Sequence, residues 1–140
     1  MNDPLKLYAL CVLVLCVKMF AISCYQGYFR LRARVFTNVE DAAFFRRAAH
    51  STELPQVGRA SKAWVNDLEN IPLFFVLGGL GVALAAAPVA TAWLSGGFTL
   101  ARLVHTVTYL AGWQPWRTLA YGVGTVCLLG LGGVTMLRLI

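Results

Sequence analysis

The chain has 140 residues, of which 59% are hydrophobic and only 13% charged. A soluble domain is about 45–50% apolar and about 25% charged, and a small one leaves much of its area wet, so a soluble globular fold is excluded; disorder, which requires low hydrophobicity, is excluded too. Against this apolar background stands a formal net charge of +6, and the informative question is where those cations sit.

The length admits one domain, residues 1–140, with room for four bilayer crossings of roughly 20 residues and one modest loop. Four apolar segments are predicted as membrane-spanning helices, at about residues 5–29, 63–87, 89–113 and 118–140. The expected fold class is therefore an all-α integral membrane protein, a bundle of four transmembrane helices. Only Pro88 separates the second segment from the third, and residues 114–117 separate the third from the fourth, so these neighbours are expected to be antiparallel. Gly79, Ala83 and Ala87 form a row of small residues that would let helices approach closely. The cysteines Cys11, Cys16, Cys24 and Cys127 form no CxxC pair and read as buried free thiols.

The stretch at about 30–62 is the one substantial loop. It holds Arg30, Arg32, Arg34, Arg46, Arg47, Arg59 and Lys62 against Glu40, Asp41 and Glu53. Loops on the cytoplasmic side collect Lys and Arg, so this loop and the 114–117 turn are assigned to the cytoplasm, with both termini and the Pro88 turn outward. Such a loop orients the protein and touches anionic lipid headgroups; nucleic acid is not an expected partner.

Polar groups inside apolar spans are costly, and their placement is telling. Arg59, Lys62, Asn66 and Glu69 recur on one face of the second helix, and Arg102, His105 and Tyr109 on one face of the third. Arg117 and Tyr121 lie one turn apart at the start of the fourth, and Arg30 closes the first. All these groups are expected in one layer on the cytoplasmic side. Lys18, in mid-span, is the exception, either pairing inside the bundle or snorkelling. Structural ion pairs such as Arg102 with Asp67 or Glu69 account for some of the layer. The remainder suits a small, multiply charged anion, with arginines forking carboxylates, a glutamate taking an ammonium, and an arginine or hydroxyl stabilising a thiolate. His50 and His105 lack partners at metal-ligand spacing, so no metal site is expected.

Arg30-Leu31-Arg32 followed by Val35-Phe36-Thr37-Asn38-Val39-Glu40-Asp41, then Asn66-Asp67-Leu68-Glu69-Asn70, then the run from Ala101-Arg102 through His105 to Tyr109-Leu110, and finally Gln114-Pro115-Trp116-Arg117 come in a fixed order. In that order the chain resembles the family of membrane-associated proteins in eicosanoid and glutathione metabolism. The resemblance covers residues from about 18 to 121. It implies a four-helix subunit of a homotrimer, with glutathione bound between subunits near the cytoplasm. It implies glutathione contacts at Arg30, Asn66, Glu69, His105, Tyr109, Arg117 and Tyr121, with Arg102 supporting the site. Arg117 matches the residue nearest the thiol, and Asp41 matches an acid implicated in catalysis in the prostaglandin branch. There are departures: Val65 replaces an arginine of that branch, a contact for which Lys62 is a substitute, and Thr118 replaces a serine proposed to activate the thiol. Tyr121 follows the prostaglandin branch, whereas Asn66 to Asn70 follows the transferase branch.

The expectation is a glutathione-dependent membrane enzyme that presents the thiolate to a lipophilic electrophile or lipid hydroperoxide arriving from the bilayer, as transferase or peroxidase. Arg117, Asp41, Thr118 and Tyr121 are its catalytic candidates. The alternatives are a prostaglandin-synthase-like isomerase, a non-catalytic lipid-binding scaffold, and a small transporter, the last needing a carboxylate deep in a span.

Overall fold

The computed structural model describes residues 3–140. Four long helices, α1 (Pro4–Ala33), α3 (Pro55–Ala83), α4 (Pro88–Ala111) and α5 (Trp116–Met136), and one short helix, α2 (Val39–Phe44), account for its regular structure. Local chemistry sets the ends. The Asp3 side chain accepts the Leu5 N–H at 3.0 Å and caps α1. Pro55 and Pro88 open α3 and α4, where a missing N–H costs nothing. Gly112, with φ 73°, closes α4 in the left-handed conformation that glycine adopts without strain.

The helices do not stop where the apolar runs stop. The segment expected as a loop over 30–62 shrinks at both ends: α1 continues through Arg30 and Arg32, and α3 begins at Pro55, so Arg59 and Lys62 are helical. Hydropathy marks what can sit in lipid, whereas a helix continues as long as its backbone bonds can form, so a charged turn prolongs it unseen. The row Gly79, Ala83, Ala87 is broken, because α3 ends at Ala83 and Ala87 caps α4. Nor are all the thiols buried: Cys11 and Cys127 are, Cys16 is half-buried and Cys24 is exposed.

α4 packs most extensively on α5, and α1 on α3; α4 also touches α1 and α3, and α3 touches α5. The core is Leu15 of α1, Ile71 and Phe74 of α3, Phe98 of α4, and Leu128 and Leu131 of α5. Phe74 stacks on Phe98 with ring centroids 4.7 Å apart. The exterior is as apolar as the core: Leu13, Val17 and Phe20 on α1 and Val126 and Leu129 on α5 are exposed, while Lys18, Asp67, Arg102 and His105 are buried. Several buried threonines satisfy their hydroxyls on their own helix, Thr99 on the Ser95 carbonyl (2.9 Å) and Thr135 on that of Leu131 (2.7 Å). By length and composition, α1 and α5 qualify as membrane crossings among the described residues.

The connection between α1 and α3 is itself organised. Phe36 is buried and stacks on Phe45 at 4.8 Å, and the His50 N–H donates to the Phe36 carbonyl at 2.8 Å. These contacts close the connection on itself around α2.

The α1–α3 contact depends on a close approach at Gly78. A Cβ there would meet the Tyr8 ring at 2.8 Å, and that ring is held by its hydroxyl, which donates to the Phe75 carbonyl at 2.7 Å. At Gly130 a Cβ would meet a Leu94 methyl at the same 2.8 Å, but that methyl ends a flexible side chain. Gly78→Ala is expected to destabilise the protein by about 1–3 kcal/mol, as overpacking does, and Gly130→Ala by clearly less. Thermal unfolding of both variants in detergent measures the difference, and equal losses would show that the Tyr8 anchor does not matter.

Candidate functional site

The polar residues of α3 and α4 belong to two stripes with opposite exposure. On α3, Arg59, Lys62 and Glu69 are exposed and Asn66 is half-buried. On α4, Arg102 and His105 are buried, at 1% and 3% exposure, and Tyr109 is half-buried. The stripes meet at one bond, where Arg102 Nη2 donates to Asn66 Oδ1 at 2.7 Å.

Beneath that bond lies an ion triad. Arg102 donates to Asp67 Oδ1 through Nε at 3.1 Å and also through Nη2, and Lys18 Nζ of α1 donates to Asp67 Oδ2 at 2.5 Å. Asp67 is completely buried and Lys18 is 7% exposed. Of the two expected fates for Lys18, pairing is the one found. Because α3 begins at Pro55 and not near residue 63, Asp67 stands twelve residues past its start, about 18 Å along it. Both of its oxygens are held by cations.

A second group lies toward the α4–α5 end. The His105 ring lies 5.5 Å from that of Tyr109 and 6.3 Å from that of Tyr121. The Arg117 guanidinium sits over the Tyr109 ring, 4.6 Å from its centroid. With its amide oxygen turned toward Arg117, Gln114 accepts from Nε at 3.2 Å and Nη2 at 2.6 Å, and its amide nitrogen donates to Thr118 Oγ1 at 3.1 Å. Arg117 is therefore fixed in place while part of its guanidinium stays free to donate. His105 Nδ1 is buried and has no partner among the described residues.

Of the eleven residues proposed from sequence, six are thus linked across three helices: Asn66, Arg102, His105, Tyr109, Arg117 and Tyr121. Thr118 is exposed and bound to Gln114. Arg30 is tied elsewhere, donating to Glu53 Oε2 through Nε at 2.9 Å and Nη2 at 2.5 Å. Asp41 is exposed on α2, where its carboxylate accepts from Asn38 Nδ2 at 3.3 Å. Lys62 and Glu69 point away from their own chain and bond to none of the six.

Sequence reasoning overlooked Gln114 and Glu53. Gln114 was findable, since it opens the short turn expected to end at Arg117, three residues before Arg117 and four before Thr118. Glu53 was not, because it meets Arg30 only through the fold of the intervening loop.

Comparison with known proteins is consistent across most of the chain. The MAPEG family model matches residues 8–137. The chain is 36% identical over 121 residues to prostaglandin E synthase of Bos taurus, covering 86% of this chain and 79% of that protein. It is 34% identical over 124 residues to prostaglandin E synthase of Homo sapiens, covering 86% and 81%. To microsomal glutathione S-transferase 1 of Bos taurus it is 33% identical over 129 residues, covering 88% and 83%. A chain matched by the family model over nearly its whole length, and by relatives from two kinds of enzyme at similar identity, belongs to the MAPEG family.

Proposed function

We propose that this chain is a glutathione-dependent enzyme of the membrane, which presents the glutathione thiolate to lipophilic electrophiles or lipid hydroperoxides. The observation that carries this reading is the fixed Arg117, held by Gln114 and Tyr109 beside His105 and Tyr121 at one end of the polar cluster. A rigid guanidinium with spare donors is suited to stabilising a developing thiolate. The names of the relatives, one of them a glutathione S-transferase, support the choice of thiol.

In this reading the four long helices cross the bilayer, with the apolar exterior facing lipid. The cluster and the α1–α3 connection face the cytoplasm, and both termini lie outside. The exposed α3 stripe supports assembly of several copies, because Lys62 and Glu69 have no partner among the described residues and would complete a neighbour's site, and the family resemblance makes that assembly a homotrimer. Glutathione then lies between subunits. Its ammonium goes to Glu69 and its carboxylates to Lys62, Arg30 and the free amide N–H of Asn66, while the thiolate lies by Arg117. Asp41 approaches from the connection as an acid near the second substrate.

The chemistry is a nucleophilic displacement. The thiolate sulfur attacks the electrophilic carbon, the C–S bond forms, and the leaving group departs with the bonding pair. With a hydroperoxide the sulfur attacks the distal oxygen, and the alkoxide that leaves takes up a proton. A second glutathione then reduces the sulfenic acid, giving disulfide and water. Between the two hydroxyl candidates, Tyr121 is better suited to donate to the thiolate, since its ring lies 6.3 Å from that of His105 in the cluster, whereas Thr118 is bonded to Gln114 and to none of the six. Isomerisation of a prostaglandin endoperoxide is the second reading, favoured by identity to the prostaglandin E synthases. The transporter reading fits less well, because the one deep carboxylate is locked between two cations.

Calorimetry with the purified protein in detergent is expected to detect binding at millimolar glutathione, and an aryl halide is expected to be conjugated; no binding at that concentration would overturn the proposal. A panel of aryl halide, lipid hydroperoxide and prostaglandin endoperoxide ranks the reactions. Arg117→Ala is expected to lower kcat about 10²–10³-fold, the usual effect of removing one charge-stabilising donor, with a much smaller change in glutathione affinity. Equal losses in both would reduce Arg117 to a binding residue. Tyr121→Phe is expected to slow turnover by about tenfold or more, whereas Thr118→Val should change kcat little; steady-state kinetics in which Thr118→Val is the slower variant would reverse the assignment of donor.

A further inference from the structure

The Lys18–Asp67–Arg102 triad is not electrically neutral. Two cations share one carboxylate, leaving one unit of positive charge buried among three helices. Glu69, the next acid along α3, is exposed and bonded to none of the triad. A neutral Lys18–Asp67 or Arg102–Asp67 pair would have sufficed to join helices. An extra buried cation is costly in an apolar setting unless something compensates it.

The hydrogen bonds show how that charge reaches the surface of the cluster. Because Lys18 holds Asp67 Oδ2, Arg102 engages Oδ1 and extends Nη2 to Asn66 Oδ1. That bond fixes the Asn66 amide with its oxygen inward, so the amide N–H₂ remains as a donor for an acceptor outside. Asn66 is half-buried, at the boundary between the buried stripe and the exposed one.

We infer that Lys18 is a charge-setting positioning residue: the uncompensated unit charge of its triad attracts an anionic ligand that accepts from Asn66, although neither Lys18 nor Asp67 touches that ligand. The inference rests on the proposed glutathione site and names what biases it toward anions. At an effective dielectric of about 20, one unit of charge at about 10 Å changes an anion's affinity by roughly tenfold.

Charge counting tests it, with glutathione as the probe, calorimetry in detergent for affinity, and thermal unfolding as an independent readout. Lys18→Gln keeps a donor for Asp67 but makes the triad neutral, and is expected to weaken glutathione binding about tenfold. Lys18→Arg restores the charge and is expected to bind like the parent. The double variant K18Q/D67N returns the cluster to one net positive charge while stripping Arg102 of its charged partner. It is expected to be the least thermally stable of the set and yet to recover affinity relative to Lys18→Gln. If affinity instead tracks stability, falling further in the double variant, the triad is only structural and the inference is overturned; should the double variant not fold, unequal binding by Lys18→Arg and the parent overturns it. Parent-like binding by Lys18→Gln would also overturn it. Absence of glutathione binding by the parent protein would overturn the proposed function itself, a result these variants are not needed to detect.

Discussion

Asp67 is the fixed point of this protein. Its carboxylate is fully buried, held on one oxygen by Lys18 of α1 and on the other by Arg102 of α4, so a single side chain of α3 joins three helices. Ion pairs at a surface contribute little, but a buried carboxylate stripped of its partners costs about 3–5 kcal/mol. The apolar contacts around it are numerous and tolerant, and Leu, Ile and Phe could pack in more than one register. The triad permits one register, because only one places two cations against the same acid. Register specificity of this kind is the best-attested use of buried polar groups.

From that point the structure opens in two directions. Toward the core end, Phe74 stacks on Phe98 and the small residues of α3 admit Tyr8, so packing is dense and conventional. Toward the other end, Arg102 also donates to Asn66, and His105, Tyr109, Tyr121 and Arg117 follow as a group of packed polar rings and a guanidinium. The same triad therefore determines both how the helices align and which way the Asn66 amide points. Helix alignment and the orientation of a polar side chain at the edge of the cluster are thus coupled through Arg102, and the exposed Lys62 and Glu69 of α3 lie beyond that bonded network.

Much of this was legible in the sequence, for identifiable physical reasons. Four long helices followed from the apolar segments, and the spacing of Arg102, His105 and Tyr109 placed them on one face, as found. The pairing of Arg102 with Asp67 was foreseeable from charge alone. Less visible was the inward direction of Asp67, although the buried residues Ala60, Ala63, Asp67, Ile71 and Phe74 follow helical periodicity and include it. The charged turns that prolong α1 and α3 escaped notice because hydropathy measures solvent preference and not backbone bonding. The Arg30–Glu53 pair depends on how the connection folds, which local spacing does not encode.

The two arginines nearest the polar surface illustrate how environment assigns different tasks to one side chain. Arg102 is 1% exposed, and its guanidinium is directed at Asp67 and Asn66. It shapes the site through what it holds. Arg117 is half-buried, supported by neutral partners, the Gln114 amide and the Tyr109 ring. Those partners fix its position without neutralising its charge, which is the condition for electrostatic stabilisation of a developing anion, since preorganised charge needs no rearrangement when the reaction occurs. A carboxylate in place of Gln114 would hold Arg117 as firmly and cancel the field it projects. The amide there, against the carboxylate at Asp67, separates the arginine whose charge is paired from the one whose charge is left uncancelled.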